Sequence, residues 1–126
     1  MEILLDTSFI ITCARQKIDF TSLADEATTD KINFILPQEV LNELNKISER
    51  KGEKIGDKKA AKLSISLLKE LNPKIIKLGS KITDNGISDY LKQHNKAVLA
   101  TLDKNLKKKS GSTILTIAGK KKLELQ

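Results

Sequence analysis

Short aliphatic runs recur along this chain without the apolar–polar alternation of a half-exposed strand, and a helical stretch follows most of them. The first is Ile3-Leu4-Leu5. A run of this kind suits a strand covered on both faces, the situation of strands in a parallel sheet. Further strand-like runs fall at 32–36, 75–78, 97–100 and 113–117. Between them the spacing predicts helices over 9–16, about 20–28, from Pro37 through Ile47, 58–71 and from Thr83 onward, with a short basic helix or turn at 104–109. Val40, Leu41, Leu44 and Ile47 repeat at helical intervals, as do Ala61, Ile65, Leu68 and Leu71. Residues 50–57 are polar with two glycines and read as a loop, and Asn72-Pro73 closes the helix before it. Strands alternating with helices favour a parallel sheet flanked on both faces, an α/β fold in three layers, α/β/α, with five strands. We expect one domain over 1–118 and a lysine-rich C-terminal tail over 119–126 that frays.

In such a sheet, ligands gather at the carboxyl ends of the strands. Four acids fall there or beside it. Asp6 directly follows the first strand, Asp103 lies just past the fourth, and Asp84 opens the helix after the third. Glu43 flanks the apolar stripe of its helix, between Val40 and Ile47. Each also has a plain structural reading. Asp6 and Asp84 can cap helices, Asp103 can serve a turn, and Glu43 can pair with Lys46 on the surface. Gathered together, four carboxylates repel one another and call for a cation. With a single cysteine, Cys13, and a single histidine, His94, any metal must be held by oxygen, which points to magnesium, manganese or calcium.

The formal net charge is +7, which attracts polyanions. Lys104, Lys107, Lys108 and Lys109 adjoin Asp103 and can grip phosphates, and Arg15, Arg50 and Lys51 extend the basic edge or are simply solvated. Lys120, Lys121 and Lys122 read as a solvated tail. Glu39, Asp57 and Asp89 read as surface acids, Cys13 and Phe9 as core, and His94 as a helix-end surface residue. No run of about 18 apolar residues is present. No signal peptide is visible, so we expect no membrane span and a cytoplasmic address.

Four blocks carry a family resemblance. They are Leu4-Leu5-Asp6-Thr7-Ser8; Pro37-Gln38-Glu39-Val40-Leu41-Asn42-Glu43-Leu44; Thr83-Asp84-Asn85-Gly86-Ile87; and Ala100-Thr101-Leu102-Asp103-Lys104-Asn105-Leu106. In this order they resemble the PIN-domain family. The 19-residue interval from Asp84 to Asp103 and the run Leu106-Lys107-Lys108-Lys109 resemble its archaeal and ribosome-maturation branch, with VapC-type toxins as the other near relatives. The resemblance implies a metal-dependent endoribonuclease in which Asp6, Glu43, Asp84 and Asp103 bind one or two Mg2+ or Mn2+ ions. Thr7, Ser8, Thr101 and Asn105 would then orient them, and cleavage would leave a 5′-phosphate and a 3′-hydroxyl. It also implies RNA as partner, a homodimer, and an antitoxin or a ribosomal partner. Asn85 and Asn105 stand where many relatives carry further acids, which removes negative charge from the expected site. Two other functions stay open: an RNA- or ribosome-binding factor without turnover, and a receiver-like domain phosphorylated on aspartate. The second is disfavoured because Asp6 stands alone after its strand.

Overall fold

The structure is a computed structural model that describes residues 1–50, 54–119 and 122–126. Lys51, Lys120 and Lys121, and residues 51–53 of the loop expected over 50–57, lie outside the described residues. In chain order the elements are β1 (Glu2–Leu5), α1 (Thr7–Gln16), α2 (Phe20–Ala27), β2 (Asn33–Pro37), α3 (Gln38–Glu49) and α4 (Ile55–Leu71). They continue with β3 (Lys74–Ile76), α5 (Thr83–Gln93), β4 (Val98–Ala100), α6 (Lys104–Ser110), β5 (Ile114–Ala118) and β6 (Lys122–Leu125). The strands form one sheet in the order β3-β2-β1-β4-β5-β6, with the first five parallel and β6 antiparallel to β5.

The first strand shows why its sequence does not alternate. Ile3 and Leu5 face a core shared with Phe9, Ile10, Val40 and Leu44 from α1 and α3. Leu4, between them, faces the opposite core with Ile87, Leu91 and Leu106 from α5 and α6. All three are essentially inaccessible to solvent, so both faces of β1 are covered. Phe9 contacts Phe20 edge-to-face at 5.7 Å between ring centroids and is fully buried, as befits a core residue. Cys13 is also buried, and burial pushes its thiol up to about 12.

Two expectations need correction. The sheet has six strands because the segment expected to fray turns at Gly119 (φ 58°) and returns as β6. Leu123 and Leu125 pack on the core while Lys122 and Glu124 are exposed, the period-two pattern of an edge strand. The polar stretch before Lys58 is helical from Ile55. Asp57 lies in the first turn of α4, where a negative charge is favoured, and pairs with Arg15 of α1 at 2.9 Å. Arg15 and Asp57 are thus a helix–helix tie rather than free surface charges.

The short α2 depends on its cap. Asp19 accepts hydrogen bonds from the Thr21 hydroxyl (2.7 Å) and from the Ser22 hydroxyl (2.9 Å) and N–H (3.3 Å). These bonds, led by the one from Thr21, hold the Asp19 carboxyl below its ordinary value of 3.8. Asp19→Ala should lower unfolding stability by about 0.5–1 kcal/mol in urea titrations at pH 7, the low end of a capping effect because the site is solvated. A lowered carboxyl contributes above its ordinary pKa. The difference between variant and parent should therefore shrink as pH falls through the folded-state value.

Candidate active site

Strand order reverses direction at β1, with β2 on one side and β4 on the other, and at such a switch point the carboxyl ends of neighbouring parallel strands border a crevice. The Asp6 N–H donates to the Ala100 carbonyl at 3.1 Å, which brings the residue after β1 against the end of β4. Asp6 occupies the N-cap position of α1, but its side chain makes no capping hydrogen bond. Its buried Oδ2 accepts instead from the hydroxyls of Thr101 (2.7 Å) and Ser8 (2.9 Å). Each hydroxyl has one proton, so with both given to Asp6 the 3.2 Å approach between Ser8 and Thr101 is a contact of lone pairs. Those lone pairs are also used. Ser8 Oγ accepts from the Leu102 N–H and Thr101 Oγ1 from the Asp103 N–H, both at 3.1 Å. A single knot of two hydroxyls therefore sets Asp6 and the backbone leading to Asp103.

Asp103 does cap a helix. Its Oδ1 accepts from the N–H groups of Asn105 (2.9 Å) and Leu106 (3.1 Å) at the start of α6. Asn105 thus meets the site through its backbone. Asp84 is not a cap; Ile82 holds that position, and Asp84 lies in the first turn of α5. Burial, then the charges of Asp6 and Asp103, push its carboxyl above the ordinary range, while Lys109 opposes them. The Lys109 ammonium also hydrogen-bonds the Asn85 side-chain oxygen. Glu43, exposed on α3, accepts from the Thr7 hydroxyl at 3.0 Å. Asp84 thus feels the charges of both Asp6 and Asp103, and Thr7 links Glu43 to the same strand end. Among the described residues, however, no three acid, histidine or cysteine side chains are grouped closely enough to enclose an ion.

The basic residues divide. Lys107 donates to the buried Thr116 hydroxyl (3.1 Å), so it is tied to β5 rather than left to grip phosphate. Lys104, next to Asp103 in sequence, and Lys108 further along α6 are both exposed. A shallow cavity of about 200 Å³ beside Glu43 is lined by Arg15, Arg50, Asp57 and two isoleucines. Tyr90 of α5 stacks on His94, the C-cap residue of that helix, 4.0 Å between ring centroids. Glu39, read from sequence as a solvated acid, accepts from the N–H groups of Leu78 (3.0 and 3.1 Å) and Gly79 (3.0 Å). No sequence signal marked that contact, because the partners are backbone amides 39 and 40 residues away.

The sequence matches the family described as PIN like domain over residues 3–119. Ribonuclease VapC4 of Methanocaldococcus jannaschii is 26% identical over 127 aligned residues, covering 98% of this chain and 95% of that protein. The structure of the PIN domain endonuclease Utp24 superposes with a TM-score of 0.80 at 25% identity, over 99% of this chain and 90% of the other. VapBC2 from Rickettsia felis, solved bound to a DNA fragment from its promoter, matches at 16% identity with a TM-score of 0.57. That match covers 94% of this chain and all of the other, and shows likeness of fold alone. A family match spanning β1 to the end of β5, joined to the same architecture in three dimensions, makes this chain a member of the PIN-like domain family.

Proposed function

We propose that the protein is an endoribonuclease that hydrolyses RNA phosphodiester bonds with the help of Mg2+ or Mn2+, leaving 5′-phosphate and 3′-hydroxyl ends. The observation that carries this reading is the raised carboxyl of Asp84, which burial first, and then the charges of Asp6 and Asp103 beside the β1–β4 crevice, push above its ordinary range. The donor set fits a hard divalent cation: it is all oxygen, partly buried and mutually repulsive. Asp6, Glu43, Asp84 and Asp103 would hold the ion. Because no three of them close around one point, some would do so through water, which magnesium retains readily. When bound, such an ion lowers the pKa of a water molecule and offsets charge on the phosphodiester.

The chain's own residues supply the rest. Ser8 and Thr101 fix Asp6 so that its second oxygen is available to the crevice. Thr7 restrains the otherwise free Glu43 side chain. Lys104 and Lys108 provide phosphate contacts from α6. Single-stranded RNA incubated with the protein and Mn2+ should be cut, and EDTA should return the rate to background. The products should accept a 5′ label only after phosphatase treatment. Cleavage that ignores EDTA would count against the metal, and products with 5′-hydroxyls against the chemistry.

The open arrangement of the acids favours a second reading, an RNA-binding factor of the same fold without turnover. Salt-sensitive RNA binding that is unchanged by Asp103→Asn, with no cleavage in Mn2+, would select it.

A further inference from the structure

Asp84 reaches the crevice from α5, which begins only after a six-residue connection, 77–82, from β3. A segment of this length needs restraint if the first turn of α5 is to be held in one place. Two contacts supply it, one from α3 and one from α5. In the first, the Glu39 carboxylate receives the successive N–H groups of Leu78 and Gly79, and Gly79 takes a left-handed conformation (φ 73°). In the second, Gly86 of α5 leaves no space: a Cβ there would stand 2.8 Å from Leu78 Cβ and 3.1 Å from Ser80 Cβ. The Gly86 N–H donates to the Ile82 carbonyl at 3.1 Å, closing the helical turn that contains Asp84.

We infer that Glu39 is a positioning residue: by clamping the 78–80 segment against Gly86, it holds Asp84 in register with Asp6 and Asp103. The carboxylate is suited to the task because hydrogen bonds to a charged acceptor are stronger than neutral ones. Burial opposes its charge, but the amides of Leu78, Glu39 itself and Gly79, with Lys77 nearby, outweigh that and keep the carboxyl below its ordinary 4.5. It is therefore ionised at neutral pH. Among the described residues, the hydrogen bonds of the Glu39 carboxylate go to backbone amides and not to an acid of the crevice, so its effect travels through backbone. The catalytic consequence rests on the nuclease reading above, whereas the mechanical one does not.

Glu39→Ala and Glu39→Gln test both halves. In Glu39→Ala, amide hydrogen exchange at Gly86 and Ile87 should speed up about 10-fold or more while Ile10 and Leu44 keep their protection. Mn2+ affinity by calorimetry should fall about 10-fold, and kcat on RNA about 10–100-fold with KM changed less than about 2-fold, the scale of losing a residue that orients a ligand. Glu39→Gln, which keeps one acceptor oxygen, should recover most of each loss. A residue that merely stabilised the fold would leave Mn2+ affinity and kcat intact below the melting temperature. Should Glu39→Ala fail to fold, Gly86→Ala, which crowds the same segment from α5, should shift the three readouts in the same direction. Unchanged exchange at Gly86 and Ile87 in these variants overturns the clamp. If the parent protein neither binds Mn2+ nor cuts RNA, the nuclease reading fails, and the exchange measurement alone decides the clamp.

Discussion

Asp6→Asn should cut Mn2+-dependent RNA cleavage by about 10³-fold, equivalent to roughly 4 kcal/mol of lost transition-state stabilisation, as expected when a cation can no longer be held where charge develops. The substitution is close to isosteric. The asparagine oxygen can still accept from Ser8 and Thr101, so the knot joining β1 to β4 survives. What disappears is the charge. Because the Asp6 charge is one of the causes that raise the Asp84 carboxyl, Asp84 should titrate lower in the variant, observable by carbon-detected NMR. Melting temperature should be unchanged or slightly higher. Cleavage at the parent rate, in protein freed of contaminating nucleases, would take Asp6 out of the mechanism.

The contrast between Asp6 and Glu39 indicates what a sequence can disclose about such a site. The placement of Asp6, Asp84 and Asp103 near the carboxyl edge follows from strand ends that unbroken aliphatic runs make visible, Ile3-Leu4-Leu5 above all. Burial of Thr101 and its bond to Asp6 are another matter: they depend on β4 lying beside β1, a non-local pairing. Glu39 was illegible because its partners are amides, which every residue carries alike. Lys107 and Lys109 look equivalent in a run of three lysines, yet one meets Thr116 of β5 and the other Asn85 of α5. Helical rotation separates them, and only packed neighbours give that rotation meaning. The edge strand β6 was hidden for a compositional reason. Its alternation spans four residues, with only Leu123 and Leu125 as the apolar signal, and it follows lysines that suggest solvation. Ile55 reads as loop because Gly56 follows it, yet α4 starts there, with Asp57 in its first turn paired to Arg15 of α1.

Asp84→Asn should abolish most cleavage, about 10²-fold or more, and yet make the metal-free protein more stable at neutral pH. The sign follows from the direction of the shift. Burial and the charges of Asp6 and Asp103 raise the Asp84 carboxyl above its ordinary 3.8, so the fold binds its proton more tightly than the unfolded chain does. Stability therefore falls as pH rises from the ordinary value through the raised one, and the full penalty is present above that window. Asparagine carries no such penalty. The variant should melt higher than the parent at pH 7, and the gain should shrink as pH falls through the raised value towards 3.8. A divalent cation should invert the order. With Mn2+ at about 100 times its dissociation constant, binding stabilises the parent by roughly 2.7 kcal/mol, and the variant, lacking a ligand charge, should gain much less. Melting curves of the two proteins with and without Mn2+ should therefore cross. A variant less stable than the parent without metal would mean that Asp84 is held by favourable contacts rather than strained by its neighbours. Equal stabilisation of both by Mn2+ would mean that the ion binds elsewhere. In the proposed site, the repulsion that weakens the empty crevice is the same interaction that draws a dication into it.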